Sequence, residues 1–119
     1  MTETHHAISY VEISVTDMAR ARAFYEAAFG WQFNDYGPDY SGIRSPDGEG
    51  EVGGLGVGRP AGVGGVRVLL YSLDLDGSAE AVTAAGGSIT EEPYEFPGGR
   101  RFFFADPDGN VLGVYQLAG

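Results

Sequence analysis

A polar tight turn between two apolar runs occurs twice in this chain of 119 residues. The stretch FFFADPDGNVLGVYQ covers residues 102–116, and a weaker copy, IRSPDGEGEVGGLGV, covers 43–57. In each copy Pro, Asp and Gly follow one another, which fits a type I turn followed by a glycine that can adopt a positive φ. Because such a turn fixes the register of a hairpin, the sequence predicts two equivalent β-hairpins.

The segments around the two hairpins repeat as well. A shift of 57 residues superposes Asp17 on Asp74 and Gly30 on Gly87, whereas the two PDG turns superpose at a shift of 61. In both halves an alternating strand precedes a helix that begins at the Asp and ends near the Gly, and three further strands follow. We therefore predict a tandem βαβββ repeat.

Periodicity and turn residues give the boundaries of these elements. In the first module we predict strands at 8–15, 31–36, 40–45 and 51–58, and a helix at 18–30 that is capped by Thr16 or Asp17 and has Ala21, Phe24, Tyr25 and Ala28 along one face. In the second we predict strands at 66–73, 88–96, 101–105 and 110–116, and a helix at 74–87. We interpret residues 1–119 as one domain with modules at about 8–58 and 66–117, joined by a linker at 59–65.

The amino-acid composition excludes several kinds of covalent chemistry. The chain has no cysteine and no lysine, which excludes disulfides, thiolate chemistry and Schiff bases. Seventeen acidic residues against seven arginines give a net charge of −10, which disfavours nucleic acids and anionic membranes. The charge would attract a cationic small molecule, but acidic surfaces more often serve solubility. The first ten residues lack a basic stretch followed by an apolar run, and no apolar segment is long enough to span a bilayer, so we expect a cytoplasmic protein without a leader peptide.

Histidine and tryptophan are scarce. We expect His5 and His6 to lie in a mobile terminus with their side chains on opposite faces, so that they form no site. Trp31 directly follows the first helix, and we expect it to be a core residue.

The stretches VTDMARARAFYEAAFGWQF and AAGGSITEEPYEFPGGRRFFFADPDGNVLGVYQ, with the duplicated element order, resemble the vicinal oxygen chelate superfamily, also called the glyoxalase/bleomycin resistance/dioxygenase fold. The resemblance covers nearly the whole chain. It implies an α+β fold in which two tandem βαβββ modules form a curved mixed sheet around a cup, with helices packed on the outer face. The same scaffold serves lyases, epimerases, dioxygenases, thiol transferases and drug-binding proteins, so it does not define a reaction.

Metal-dependent members of this superfamily line the cup with His, Glu or Gln from the first and last strands of each module. The resemblance places Tyr10, Arg67 and Gly113 at three of these positions; the fourth falls within 53–55, with Glu51 the nearest acid. A guanidinium cannot coordinate a cation and glycine offers no donor, so we expect no metal and no cofactor. We also expect Gly113 to leave space where the metal would lie.

Alternation from these positions gives the residues that we expect to bind a ligand. They are Tyr10, Glu12 and Ser14 in the first strand, Arg67, Leu69 and Tyr71 in the fifth, Gly113 and Tyr115 in the eighth, and Arg101 and Phe103 in the seventh. In the seventh strand the sequence alone leaves open whether Arg101 and Phe103 or Phe102 and Phe104 point inward. Such an aromatic lining suits a flat, partly apolar organic ligand. We expect the hydroxyls of the lining tyrosines to be hydrated.

The resemblance also places the first and fifth strands side by side, so that Glu12 and Arg67 are expected to meet. They form either a structural ion pair or a pair that orients a polar group of the ligand, and Glu12 is a candidate general base. Ser14 lacks a histidine partner and is not expected to be a nucleophile.

Three functions remain open. The first is a metal-free protein that sequesters an aromatic or cationic ligand, as bleomycin-resistance proteins do. The second is a metal-independent isomerase, lyase or cyclase that uses Glu12 as its base. The third is a metal-dependent glyoxalase- or dioxygenase-type enzyme. From the resemblance, and because the glycine-rich strand at 51–58 would make a poor bare edge, we expect a homodimer.

Overall fold

A computed structural model describes residues 3–119 of the chain. It contains two compact units, of which the first is Tyr10–Arg67 and the second combines Val68–Gly119 with residues 3–9. Each half of the chain follows the order βαβββ and forms a mixed sheet with one helix. The predicted α+β fold with tandem βαβββ modules is confirmed. The cup stays a prediction.

The first module consists of β1 (Ile8–Ser14), α1 (Met18–Phe29), β2 (Phe33–Asp35), β3 (Tyr40–Arg44) and β4 (Glu51–Gly56). Its strands lie in the order β2-β3-β4-β1, with β4 parallel to β1 and the other neighbours antiparallel. The glycine-rich β4 is therefore an interior strand that pairs on both sides. The argument that it would be a bare edge is wrong, because the short β2 occupies that edge.

Helix α1 begins and ends where the sequence predicts. The Asp17 side chain accepts a hydrogen bond from the Arg20 backbone N–H at 3.0 Å, and Gly30 closes the helix with φ 71°. The predicted apolar face, however, is not buried: no residue of α1 is buried, and Phe24 is 58% exposed.

Trp31 is a half-buried residue that stacks on Tyr25, with ring centroids 4.6 Å apart and planes 8° apart. The expectation that it belongs to the core is wrong. Strand β2 begins only at Phe33, so Trp31 lies in the connection and packs against the helix that it follows.

The second module consists of β5 (Val66–Tyr71), α2 (Leu75–Ala84), β6 (Ser88–Phe96), β7 (Gly99–Ala105) and β8 (Val111–Leu117). Its strands lie in the order β5-β8-β7-β6, with β5 parallel to β8. Leu75 of α2, Phe102 of β7 and Val114 of β8 form its buried core, and Phe104 packs against them. Phe102 and Phe104 thus point toward α2, and alternation places Arg101 and Phe103 on the opposite face of the sheet.

The two PDG turns have the predicted backbone. Gly48 and Gly109 both adopt φ 89°, a conformation that favours glycine. Both turns close antiparallel hairpins, β3 with β4 and β7 with β8, and the register of the first shifts between Ile43 and Arg44.

Both histidines belong to the second unit and contact residues around the start of α2. The rings of His5 and His6 stack with centroids 3.7 Å apart, His5 Nδ1 accepts a hydrogen bond from the Leu73 N–H at 2.8 Å, and His6 Nε2 lies 3.0 Å from the Ser78 hydroxyl. The prediction that the two side chains point to opposite faces is wrong, since His6 has φ 63° and the chain turns there instead of extending.

Neither α1, with 12 residues, nor α2, with 10, is long and apolar enough to span a bilayer, and no other helix in residues 3–119 is.

Candidate functional site

A row of paired residues crosses the sheet of the first unit. Glu12 of β1 pairs with Gly54 of β4, Gly54 with Gly42 of β3, and Gly42 with Asn34 of β2. Because laterally paired residues project to the same side of a sheet, Glu12 and Asn34 lie on one face with two glycines between them. We call Gly42 and Gly54 the glycine floor.

Two polar side chains lie flat over the glycine floor. A β-carbon at Gly54 would collide with the Tyr40 hydroxyl, and a β-carbon at Gly42 would collide with the Glu51 carboxylate. Any larger residue at either position would displace these groups. The glycines are therefore required for the positions of Tyr40 and Glu51.

Glu51 is oriented by two hydrogen bonds. Its Oε2 accepts one from Asn34 Nδ2 at 2.8 Å and one from the Tyr36 hydroxyl at 2.5 Å. The hydrogen bond to the Glu51 carboxylate raises the pKa of Tyr36, because the phenol would lose this bond when it ionises. Both bonds use the same carboxylate oxygen; within residues 3–119 no hydrogen-bond donor is placed on Oε1.

Tyr10 lies beside this group. Its hydroxyl is 2.5 Å from that of Tyr40, so one of its hydrogen bonds is made within the protein. Burial raises the pKa of Tyr10 strongly, and the negative charges of Glu51 and Glu12 raise it further. Tyr10 is therefore a neutral phenol at neutral pH.

The remaining predicted residues of the first unit are Glu12, Ser14 and Arg67. Glu12 is buried, with 9% of its surface exposed, whereas Ser14 and Arg67 are half-buried. Ser14 pairs with Gly56, which pairs with Tyr40, so Ser14 shares the face of Glu12. The predicted contact between Glu12 and Arg67 stays a prediction.

The predicted residues of the second unit share one face of its sheet. Two lateral rows cross β5, β8 and β7, and they consist of Leu69, Gly113 and Phe103, and of Tyr71, Tyr115 and Arg101. This is the face opposite to α2. The structure thus groups the sequence-predicted residues into one set on each unit.

Gly113 does not leave the expected space. A β-carbon there would lie 2.8 Å from the Phe103 ring and 3.0 Å from Leu69 Cγ, and both side chains are almost fully buried. The prediction of a vacant volume at this position is wrong, because the neighbouring large side chains fill what the glycine gives up.

Aromatic rings surround the second row. The guanidinium of Arg101 lies 5.3 Å from the Phe103 centroid and 5.5 Å from that of Tyr94, and its Nε donates to the Tyr94 hydroxyl at 2.7 Å. Tyr115 meets Tyr71 edge to face at 5.3 Å.

The Tyr115 hydroxyl lies 2.7 Å from that of Ser9. Burial raises the pKa of Tyr115, so this phenol also stays neutral near pH 7.

Sequence analysis missed the residues around Glu51. Asn34, Tyr36 and Tyr40 lie in or beside β2 and β3, strands to which it assigned no site residue. The signal was present in the glycines at 42, 54 and 56, since glycine inside a strand often marks a close approach of another group.

A sequence model described as Glyoxalase/Bleomycin resistance protein/Dioxygenase superfamily matches residues 7–114. The chain belongs to this superfamily. Among similar proteins, the anthracycline biosynthesis protein DauV of Streptomyces sp. (strain C5) is 31% identical over 121 residues, which cover 93% of this chain and 42% of DauV. The chain therefore spans less than half the length of the curated relatives it matches.

Solved structures of superfamily proteins share the fold. Methylmalonyl-CoA epimerase from Mycobacterium tuberculosis superposes with a TM-score of 0.70 at 16% identity, covering 100% of this chain and 94% of its own. The Mn(II)-bound glyoxalase from Novosphingobium aromaticivorans superposes with a TM-score of 0.66 at 24% identity, covering 97% of this chain and 40% of its own.

The residues that the resemblance assigns to metal positions do not offer a set of metal ligands. Tyr10 is a neutral phenol bonded to Tyr40, Arg67 is a cation, and the surroundings of Gly113 are filled by Phe103 and Leu69. Across residues 3–119, no three His, Cys, Asp or Glu side chains come together as a metal site would need.

Proposed function

We propose that this superfamily member binds a planar aromatic organic molecule and holds it without a metal ion, in the manner of a sequestering protein. The observation that carries the proposal is Tyr10. At a position where the resemblance expects a metal ligand, it is a neutral phenol paired with Tyr40 on a polar face that also contains Glu12. Phenols combine a flat apolar ring with a hydrogen-bonding tip, which suits an aromatic ligand with polar substituents.

The relative DauV suggests a ligand class. Its name assigns it to anthracycline biosynthesis, and anthracyclines are flat, polycyclic and substituted with hydroxyl and carbonyl groups. We propose that this chain binds a molecule of that shape on the face of the first unit that carries Tyr10, Tyr40 and Glu12.

The test is a titration of an anthracycline against the protein, followed by its visible fluorescence and by the melting temperature of the protein. We expect saturable binding and a higher melting temperature, because a ligand that binds only the folded state stabilises it. Tyr10→Phe removes one hydroxyl and should weaken binding about threefold to tenfold. Tyr25→Phe, the same change on α1, should leave binding unchanged. Absence of binding to the wild-type protein would refute the proposal.

Glu12 supports a second candidate function. A carboxylate with only 9% of its surface exposed, on the same face as Tyr10, is placed as a general base would be in a metal-independent isomerase, lyase or cyclase. The same titration decides between the candidates when the bound compound is recovered and analysed for isomeric or cleaved products. An enzyme using Glu12 would convert it, whereas Glu12→Gln would bind without conversion. Near-stoichiometric metal in untagged protein would instead favour the metal-dependent alternative.

A further inference from the structure

The Glu51 carboxylate accepts hydrogen bonds through one of its two oxygens, which leaves the other for a ligand. Asn34 and Tyr36 both donate to Oε2, so the carboxylate is fixed in orientation, and its other oxygen remains an acceptor. The side chain is only half-buried, and Tyr36 is 61% exposed, so a solute can approach. A carboxylate held this way meets a ligand without first losing conformational entropy.

Two aromatic rings accompany it. The Tyr36 and Tyr40 rings have centroids 6.2 Å apart and planes 42° apart. The Tyr40 hydroxyl and the Glu51 carboxylate lie over Gly54 and Gly42, which are direct cross-strand partners, so the two groups are neighbours on the glycine floor. The combination of an anionic oxygen with phenol rings is one that attracts organic cations, through charge and through the faces of the rings.

Other ligand classes fit less well. A hard metal cation needs several converging anionic or carbonyl oxygens, whereas here the phenols of Tyr10 and Tyr36 are held neutral by raised pKa values. An anionic group would face Glu51 and Glu12 and the field of a chain with net charge −10. An ammonium group supplies N–H donors for Oε1 and is attracted by the same field.

We propose that Glu51 forms an organic-ammonium subsite, in which Oε1 accepts hydrogen bonds from a primary ammonium group that lies against the Tyr36 and Tyr40 rings. Asn34 and Tyr36 act as positioning residues for the carboxylate. This deepens the proposed function and rests on it, since the ammonium would be a substituent of the aromatic ligand.

The experiment compares two small probes of equal shape, 2-naphthylmethylammonium and the neutral 2-naphthylmethanol, by ligand-observed NMR titration. We expect the wild-type protein to prefer the ammonium by about tenfold, the range of a hydrogen bond to a charged group. Glu51→Gln should abolish the preference. Glu49→Gln is the matched control, since it removes the same charge from an exposed side chain two residues away and should keep the preference.

Two further variants separate positioning from folding. Tyr36→Phe and Asn34→Ala each keep the Glu51 charge but remove one of its two hydrogen bonds, so each should reduce the preference for the ammonium while binding of the alcohol is unchanged. Melting curves establish that every variant is folded.

Equal affinity of the wild-type protein for both probes, absence of binding by either, or a preference that survives in Glu51→Gln would overturn the subsite. These outcomes differ from failure of the proposed function. An anthracycline that does not bind while the ammonium probe does would refute the anthracycline class alone, and an amine-bearing anthracycline whose affinity is the same in Glu51→Gln as in the wild-type protein would refute the subsite alone.

Discussion

The packing at position 113 shows how far one residue can be interpreted from sequence. Glycine has no side chain with which to bind a metal, and this follows from the sequence alone. Whether its small size leaves an open volume depends on Phe103 and Leu69, which approach from the neighbouring strands β7 and β5. Strand alternation predicts which side chains share a face, and it placed Tyr10, Glu12 and Ser14 together correctly. It cannot predict how far a side chain reaches along that face.

We predict that Gly113→Ala destabilises the protein by about 1–3 kcal/mol, the usual cost of adding a methyl group to a filled core. The new β-carbon would lie 2.8 Å from the fully buried Phe103 ring, so the ring or the backbone must shift to admit it. Urea unfolding measures the change. Gly56→Ala is the control, since its nearest neighbour would lie at an ordinary 3.5 Å. A second substitution, Phe103→Leu, should recover part of the loss, and an unchanged midpoint for Gly113→Ala would contradict the packing described.

The same limit explains the residues that were missed. Glu51 reaches across to Gly42 on the next strand, and Tyr36, outside any strand, reaches back to Glu51. These contacts depend on the register of β3 with β4 and on the path of the connection after β2. Neither follows from the local periodicity of a single segment.

At the scale of elements, the two PDG turns share a backbone and differ in their anchors. In the first turn the Asp47 carboxylate accepts hydrogen bonds from the Ser45 hydroxyl at 2.8 Å and the Glu49 N–H at 2.9 Å. In the second, Asp106 accepts from the Asp108 and Asn110 N–H groups, both at 2.9 Å. The sequence predicted the turns because PDG specifies the backbone, but not which carboxylate would secure each one.

We predict that Asp106→Ala lowers the melting temperature at pH 7 and that the difference from wild type shrinks as the pH falls below ~4. Hydrogen bonds from Asn110 and Asp108 hold the pKa of Asp106 below its usual value. A lowered folded-state pKa contributes stability above the unfolded-state pKa, and this contribution is lost as pH falls through the folded value. Melting curves from pH 7 to pH 2 measure it. Asp108→Ala, which removes an equal charge from the same turn, should show a smaller and less pH-dependent loss.

Boundaries of elements were predicted well where caps or turns mark them. Asp17 caps α1 as expected, and β6 spans the predicted 88–96 although Pro93 lies within it. Asp74, predicted as the first residue of the second helix, is its N-cap. The connection after α1 was predicted poorly, because WQFNDY has the composition of a strand but only Phe33–Asp35 pairs with β3.

At the scale of the whole molecule, the fold was predicted mainly from the tandem βαβββ repeat. A duplicated strand-helix-strand order limits the possible topologies, and both halves have the predicted connectivity. The candidate site is built from side chains of several strands. The sequence repeat does not predict which of those side chains meet.

We predict that the protein is a homodimer in solution. The reason drawn from β4 does not hold, but α1 exposes Phe24 and Phe29, with 58% and 65% of their surfaces accessible, and such aromatic groups are commonly covered by a partner. Size-exclusion chromatography with light scattering should give twice the chain mass of 12.6 kDa. Phe24→Ser combined with Phe29→Ser should lower that mass. A wild-type monomer at every concentration would contradict the prediction.

The filled space beside Gly113 also limits which residues position 113 can accept. A glutamate at position 113 would collide with Phe103 unless that ring were replaced by something smaller. An acidic side chain at this position is therefore compatible with the fold only together with a second change at position 103.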